Sequence, residues 1–280
     1  MKPSKRRPGP LGALGASLGA VLVALPLGVA VLGPLFADAP APGLAAPYAA
    51  RDVEHLLGTD ALGRDVLALL LHGGRSALGM ALGAVALAYL VGGLAGLLAA
   101  SARRRWLDEL LIRPLDVLLP LPTLLVISVV AVGWRGSPVA IALAVAAVNV
   151  PPVARLVRAA ALDAASGPVA EALRLQGESW ARVQFGLVAR SALAPVAADI
   201  GTRVTLAVFL VGSANFLGLG LDPTAPDWAV SIARGREGLL LQPWAVLAPA
   251  AMLVLFTVGL NLFADRLLAR SRHRTQEAVR

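Results

Sequence analysis

Few side chains in this sequence could take part in nucleophilic, acid–base or metal chemistry, and those few are far apart. The chain has no cysteine and three histidines, at His55, His72 and His273. The lack of cysteine excludes disulfides, thiolate metal sites and a cysteine nucleophile. The three histidines are too scattered to favour a zinc site, and an enzyme would need convergent groups.

Four acidic residues follow one another closely in the first third of the chain, at Asp52, Glu54, Asp60 and Asp65. They could suggest calcium, but their spacing lacks the alternating ligands of a dedicated calcium loop. Asp60 and Asp65 precede a long apolar stretch, where a carboxylate commonly caps the first turn of a helix. We therefore favour structural capping over metal binding here.

One acid–base pair lies deep in an apolar stretch. Asp199 and Arg203 are the only charged residues between positions 193 and 221. They are four residues apart with the acid first, which is the favourable order for an ion pair on a helix. Ionisable groups within a membrane span normally face a protein interior or a water-filled cavity. The pair therefore either lines a pathway or gate, or it is a structural pair near the cytoplasmic end of a span.

The chain also lacks a nucleotide-binding P-loop, which requires a lysine after a glycine-rich turn. Its only lysines are Lys2 and Lys5, and neither follows a run of glycines. Any ATP and magnesium on which the protein depends would have to be used by another polypeptide, and no cofactor is expected in this chain.

The composition indicates an all-α integral membrane protein embedded in a lipid bilayer. Of the 280 residues, 58% are hydrophobic and 15% are charged, whereas soluble domains carry roughly a quarter charged residues. The net charge of +8 could suggest nucleic acid as a partner. The basic residues instead flank apolar stretches and form no basic face with interleaved aromatics, so no nucleic-acid partner is expected.

Six uncharged stretches approach or exceed the length of about 20 residues that a bilayer crossing requires. They cover residues 11–36, 76–102, 117–134, 136–154, 204–221 and 238–264, and the fifth span starts earlier, near residue 193. Pro151 and Pro152 predict a break at the end of the fourth span, since proline lacks the amide donor.

These spans divide the chain into five parts. They are a cytoplasmic tail (1–10), a first transmembrane helix (11–36), an external segment (37–75), a five-helix core (76–266) with a cytoplasmic loop at about 155–190, and a cytoplasmic tail (267–280).

The distribution of basic residues predicts that both termini are cytoplasmic. With the N-terminus inside, 18 of the 25 Lys and Arg residues lie on the cytoplasmic side and six outside, as the positive-inside rule requires. The first span could instead be a signal peptide, because Ala37-Asp38-Ala39 resembles a cleavage site. A signal core has only about 7–15 apolar residues, so we expect the longer run over 11–36 to be retained as a helix.

Glycine spacing predicts where helices approach one another. Gly79 and Gly83, and again Gly92 and Gly96, would each let a neighbouring backbone come close to the second span. The alternative is that a chain rich in glycine and alanine produces such spacings by chance.

The sequence of the cytoplasmic loop at 155–190 predicts two short helices joined by a glycine. Pro168 suits the first position of a helix, Gly177 would end that helix, and Ser179 can cap the next one. Such a segment would project from the cytoplasmic face, whereas the alternative is an ordinary interfacial linker.

The approach to the last external loop marks the end of the fifth helix with Gly218, Gly220 and Pro223. Trp228 and Trp244 follow, at positions typical of aromatic anchors at the membrane interface.

Taken together, these residues resemble the permease subunits of peptide and nickel ABC importers, in particular the dipeptide and oligopeptide permease C type. One string runs from Leu57 to Asp65, and in it Gly58 and Gly63 also suit tight turns. The other elements that carry the resemblance are Asp108, Arg113, Asp116, Pro122, the string from Phe216 to Pro223, Pro226-Asp227-Trp228, Pro243-Trp244 and Asn261-Leu262. The resemblance covers roughly residues 55–270.

The resemblance implies a type I importer-like permease fold in a bacterial or archaeal cytoplasmic (inner) membrane. The chain would form half of a translocation pathway, with a homologous second permease, two ATP-binding cassette ATPases that use ATP and magnesium, and an external solute-binding protein as partners. Di- or oligopeptides are the default cargo; nickel or another small solute is the alternative.

The resemblance also implies roles for particular residues. They are an ATPase-coupling loop at Glu171, Ala172, Leu173 and Gly177 and an external motif at Gly58, Thr59, Asp60, Gly63, Arg64 and Asp65. Asp199 and Arg203 are a candidate pathway or gate because of their place within a span. The coupling loop departs from the family pattern, which has Glu-Ala-Ala and later Leu-Pro, where this chain has Leu173 and Ala189-Arg190.

A proton-coupled secondary transporter that uses Asp199 as its relay is the main rival function. A proton relay usually needs more than one acidic residue beside an arginine. The two halves of the sequence also show no recognisable internal repeat of the kind that many secondary transporters have.

Overall fold

The computed structural model describes the backbone of residues 10–41, 43, 45–101 and 105–278, and the side chains of 17–41, 43, 45–101, 106 and 109–264. The predicted N-terminal tail up to residue 9, Arg103, Arg104 and the last two residues lie outside the described residues. So do the side chains of Asp108 and His273.

Within these residues the protein is built from α-helices. They are α1 (Pro10–Leu32), α2 (Val66–Ala100), α3 (Arg105–Asp116), α4 (Thr123–Gly133), α5 (Pro138–Ser166), α6 (Pro168–Leu175), α7 (Trp180–Arg182), α8 (Ala189–Phe216), α9 (Trp228–Gly235) and α10 (Trp244–Ala278). A π-helical segment, Val183–Val188, joins α7 to α8, and short 3-10 turns follow α1 and α9.

Five stretches of the described chain are long and apolar enough to cross a membrane. They are Ser17–Leu35, Val66–Ala100, Pro138–Ser166, Trp180–Phe216 and Trp244–Ala264. The predicted third span, 117–134, is helical only over the 11 residues of α4, a length of about 16 Å against a hydrocarbon core of about 30 Å. Pro120 and Pro122 lie just before α4 and keep the preceding residues out of the helix.

The predicted break at Pro151 and Pro152 is wrong, because α5 continues through both prolines to Ser166. Each proline removes one backbone donor, but transmembrane helices tolerate this where neighbouring helices pack against them. Here Pro151, Val153 and Ala154 are buried, and this tight packing holds the helix together.

The glycine prediction is confirmed for one pair of residues only. A Cβ added at Gly92 would lie 2.6 Å from the Val150 carbonyl oxygen, and one at Gly96 would lie 2.3 Å from that of Ala154. The backbones of α2 and α5 are therefore in close contact. A Cβ at Gly79 or Gly83 would meet nothing within 4 Å among the described residues.

The described residues form two compact units, one from Met1–Leu78 with Pro223–Arg280 and the other from Gly79–Asp222. In the first unit α1 packs along α10, where Gly19 and Gly259 leave room for the facing backbone. In the second unit α5 packs against α8, and α6 and the π-helical segment also contact it.

Candidate functional site

The external motif is a buried structural frame in the first unit. Thr59 is fully buried, and its hydroxyl donates to the Ala46 carbonyl oxygen (2.6 Å) while it accepts the Ala49 N–H (2.7 Å). A single antiparallel bridge pairs Thr59 with Asp65. The motif therefore ties the irregular stretch after α1 to the start of α2.

Asp60 and Arg64 form the central ion pair of this frame. Asp60 Oδ2 accepts from Arg64 Nε (2.8 Å) and Nη2 (2.7 Å), and both side chains are almost fully buried. Asp60 Oδ1 accepts the N–H groups of Leu62 and Arg64 (2.8 and 2.9 Å). Arg64 Nη1 donates to the Thr224 carbonyl oxygen (2.7 Å), so the pair also fixes the loop that precedes α9.

The two glycines and the second aspartate of the motif also have structural roles. Gly58 and Gly63 have positive φ angles of 74° and 70°, which favour glycine. A Cβ at Gly58 would overlap the side chain of Gln242. Asp65 caps α2, because its carboxylate accepts the N–H groups of Leu67 and Ala68. The predictions of tight turns and of a cap are confirmed.

The loop before α9 is held to the start of α2 by two further side chains. Asp227 caps α9 and accepts a bond from the Ser76 hydroxyl (2.6 Å). Trp228 is fully buried and its indole N–H donates to the Leu70 carbonyl oxygen (2.8 Å). The prediction that Trp228 is an interfacial anchor is wrong, because its ring fills the contact between α2 and α9. Trp244 is partly exposed and stacks beneath the Arg51 guanidinium at 4.2 Å.

The acidic side chains of this frame are already hydrogen-bonded to backbone N–H groups. The carboxylates of Asp60 and Asp65 accept N–H groups of their own segment, and the described residues contain no cluster of three or more potential metal ligands. What this arrangement can do is hold the stretch after α1, the start of α2 and the loop before α9 in one conformation.

The predicted coupling segment, α6 with the turn after it, belongs to the second unit. Gly167 precedes α6 and Pro168 occupies its first turn, as the sequence predicted. Ala170 is fully buried against the core that α5 and the π-helical segment share. Arg174 Nη2 donates to the carbonyl oxygen of Ala165 in α5 (2.9 Å). One face of α6 is thus fixed, while Glu171 in its first turn is exposed.

The end of α6 has the two hydrogen bonds of a Schellman motif, which requires a residue with positive φ after the C-cap. Glu178 N–H donates to the Leu173 carbonyl oxygen (3.0 Å) and Gly177 N–H to that of Arg174 (3.1 Å). Gly177 has a φ of 82°. Ser179 then caps α7 by accepting the Arg182 N–H. The predicted helix, glycine stop and second cap are confirmed.

Several apolar side chains are exposed on α6 and in the segment that follows it. Leu175 is 83% exposed and Val169 is 59% exposed. Trp180 and Phe185 are about half exposed and contact each other edge to face, with ring centroids 6.4 Å apart. Glu171 and these apolar groups form a surface that is typical of a protein contact.

Gln184 connects this surface to α2 and was missed by sequence reasoning. It is 1% exposed; its amide donates to the Leu97 carbonyl oxygen (2.5 Å) and its side-chain oxygen accepts from the Ser101 hydroxyl. It lies in the π-helical segment, where Ala189 N–H bonds to the Gln184 carbonyl oxygen. The chain continues from α7 through this segment into α8, and it has Ala189-Arg190 where the family pattern has Leu-Pro.

The third group of predicted residues meets on α8. Arg203 Nε donates to Asp199 Oδ2 (2.8 Å), so the predicted ion pair is present. The Tyr89 hydroxyl of α2 donates to the same oxygen (2.8 Å). The two charged side chains are 19% and 18% exposed. Tyr89 was not predicted, although a phenol inside a span normally needs a polar partner.

The protein belongs to a class of membrane transport components. A family model described as binding-protein-dependent transport system inner membrane component matches residues 92–275. The chain belongs to this family. It is a multi-pass permease component of the inner membrane and not the ATPase of its transporter.

Similar proteins agree with this assignment. The chain is 34% identical over 213 residues to the di/tripeptide transport system permease protein DppC of Pseudomonas aeruginosa, covering 76% of this chain and 70% of that protein. It is 31% identical over 259 residues to the dipeptide transport system permease protein DppC of Alkalihalophilus pseudofirmus, covering 90% and 83%. It is also 31% identical to the glutathione transport system permease protein GsiD of Pectobacterium atrosepticum, covering 76% and 70%.

A solved structure supports the fold. The crystal structure of an amino acid ABC transporter with histidines matches with a TM-score of 0.52 and 16% identity, covering 69% of this chain and 90% of that one. At this identity the likeness concerns the fold alone.

Proposed function

We propose that this chain forms half of the translocation pathway of an ATP-driven importer for di- or oligopeptides. Its partners would be a second permease, two ATPases that bind ATP and magnesium, and an external solute-binding protein. The observation that carries the proposal is the surface around α6, which is fixed on one face by Ala170 and Arg174 and presents Glu171 beside exposed apolar side chains.

This surface suits the transmission of motion from a separate ATPase. A nucleotide bound elsewhere can shift this chain between two conformations only through contacts that differ between them. The segment is short and its C-terminal end is closed by the Schellman hydrogen bonds, so it can move as one body. Gln184 bonds to the last turns of α2, which offers a route from that body to a membrane span.

The external frame would face the solute-binding protein. Its buried Asp60–Arg64 pair and Thr59 hold the outer loops in one conformation, which lowers the entropy that docking costs. The cargo class is taken from relatives named for di- and tripeptide or dipeptide transport; a relative named for glutathione transport keeps a modified tripeptide open.

The experiment is uptake of labelled alanyl-alanine into proteoliposomes that contain the complete importer and its binding protein. We expect uptake to require ATP and to persist when a protonophore abolishes the proton gradient. The proton-coupled rival, with Asp199 as relay, requires the opposite result. ATP-driven uptake of nickel but not of peptide would contradict the peptide assignment alone.

The coupling assignment has its own test. Glu171→Arg reverses a charge on the exposed side of α6 and should lower uptake by about tenfold or more, as charge reversal in an interface commonly does, with normal membrane insertion. Asp163→Arg is the control, because Asp163 is an exposed acid on α5 outside the segment, and it should keep most of the uptake. Normal uptake by Glu171→Arg would show that the ATPase docks elsewhere.

A further inference from the structure

The ion pair on α8 keeps part of its polar surface accessible to another molecule. Asp199 Oδ2 accepts both bonds, from Tyr89 and from Arg203 Nε. The side chains of Arg203 and Asp199 are 19% and 18% exposed, so the contact that joins them does not cover them completely. A partly accessible carboxylate and a partly accessible guanidinium therefore lie side by side within a membrane span.

The accessible parts of these charged groups favour contact with water or a polar molecule, because charged groups inside a bilayer are costly when they face lipid. The terminal nitrogens of an arginine fit the two oxygens of a carboxylate. A free carboxylate oxygen accepts from an ammonium group. The pair is thus complementary to a molecule that carries both charges, and lipid tails carry neither.

The spacing of the pair fits a short peptide. Asp199 Oδ2 and Arg203 Nε are 2.8 Å apart, so both charged groups lie within the reach of one small molecule. The ends of an extended dipeptide are at most about 7 Å apart. One peptide can therefore place its ammonium at Asp199 and its carboxylate at Arg203.

An apolar groove adjoins the pair. It has a volume of about 180 Å³ and is lined by Tyr89, Gly93, Leu97, Val157, Ala192 and Val196, among others. Tyr89 belongs to both groove and cluster, and Val196 is three residues before Asp199, on the same face of α8. Its walls are mainly apolar, which suits an aliphatic side chain of a bound molecule.

We propose that Tyr89, Asp199, Arg203 and this groove form a transit site that binds the two charged ends and one side chain of a short peptide. This inference rests on the proposed function and identifies which groups of the transported peptide the membrane domain recognises. Peptides share their charged ends whatever their sequence, so such a site serves many peptides and leaves selection among them to the binding protein.

A direct binding assay tests the site without the solute-binding protein. The complete importer in lipid nanodiscs is exposed to alanyl-alanine, or to its N-acetylated amide with both charges removed, and binding is followed by saturation-transfer NMR. We expect a signal for the free dipeptide and none for the blocked one. Arg203→Met and Asp199→Asn should each weaken binding by about tenfold or more, since hydrogen bonds to charged groups are among the stronger ones.

Two matched variants separate the site from general effects on folding. Glu109 and Arg113 form another ion pair four residues apart, on α3, and Glu109→Gln with Arg113→Gln should leave binding unchanged. Ala192→Phe fills the groove, whereas Ala197→Phe places the same ring at an exposed position on α8; only the first should block the dipeptide.

Uptake per ATP hydrolysed distinguishes the possible failures. We expect Arg203→Met to keep the ATPase stimulated by loaded binding protein and to transport at least about tenfold less peptide per ATP. If the wild type imports peptide, and the Arg203→Met and Asp199→Asn variants bind and transport peptide as well as the wild type does, the transit site is overturned and the proposed function stands. Loss of the second permease subunit from purified Arg203→Met complexes would assign the pair to subunit contact instead. Absence of ATP-driven peptide uptake by the wild type would overturn both proposals.

Discussion

Gly83 and Gly96 lie on the same helix, α2, and differ in what faces them. A Cβ added at Gly96 would lie 2.3 Å from the Ala154 carbonyl oxygen and 2.9 Å from the Arg158 nitrogen, whereas one at Gly83 would meet nothing within 4 Å in the part of the chain that the structure describes. Replacing each by alanine therefore makes the same chemical change in two different surroundings.

The two substitutions should change stability in opposite directions. Ordinary contact begins at about 3.4 Å, so alanine at Gly96 must push α2 and α5 apart by roughly 1 Å. Overpacking of this kind costs about 1–3 kcal/mol. Alanine at either position gains about 0.5–1 kcal/mol from the lower backbone entropy of the unfolded chain, and at Gly83 no overpacking offsets this gain. Because the entropy gain is common to both variants, their free energies of unfolding should differ by the overpacking cost, about 1–3 kcal/mol.

The measurement is equilibrium unfolding of the purified chain in mixed micelles with increasing dodecyl sulfate, followed by tryptophan fluorescence. Gly92→Ala, whose Cβ would lie 2.6 Å from the Val150 carbonyl oxygen, should behave like Gly96→Ala. Equal stabilities for the Gly83 and Gly96 variants would refute the close approach of α2 to α5.

The remaining predictions concern the coupling segment and the external frame. Gly177→Ala forces a residue with a Cβ into a positive φ, at a cost of about 1–2 kcal/mol, so the amount of peptide transported per ATP should fall. The control, Gly186→Ala on the adjoining π-helical segment, should not lower it. Equal transport by the two variants would contradict a fixed helix stop at Gly177. Arg64→Met leaves the buried Asp60 carboxylate unpaired and should cost about 3–5 kcal/mol, measured as lost thermal stability of the chain in detergent. The double variant with Asp60→Leu should recover much of that loss, and a double variant as unstable as the single one would argue against the ion pair as the cause.

Much of the local structure could be predicted from short-range chemistry. Gly177 and Gly218 end helices because their positive φ angles allow the closing hydrogen bonds. Asp65 and Ser179 cap helices because a side-chain oxygen reaches the first free N–H groups. These features depend on a few neighbouring residues, so the sequence contains the whole reason for them.

The predictions that failed depend on contacts between distant segments. Pro151 and Pro152 remain inside α5, which α2 approaches closely at Gly92 and Gly96. Trp228 is buried because α2 offers it the Leu70 carbonyl oxygen. The tendency of proline to break helices and of tryptophan to lie at membrane interfaces are averages over many proteins. In this chain the contacts with neighbouring helices outweigh both tendencies.

The sequence by itself determined the apolar spans, the absence of a P-loop lysine, the helix stops and caps, and the family resemblance. Tertiary structure decided which glycines meet a neighbour, that Asp60 and Arg64 are buried together, and that Tyr89 joins Asp199 across 110 positions of the chain. The physical reason is that hydrophobicity and backbone preference act over a few residues, whereas hydrogen bonds and packing depend on distance in space.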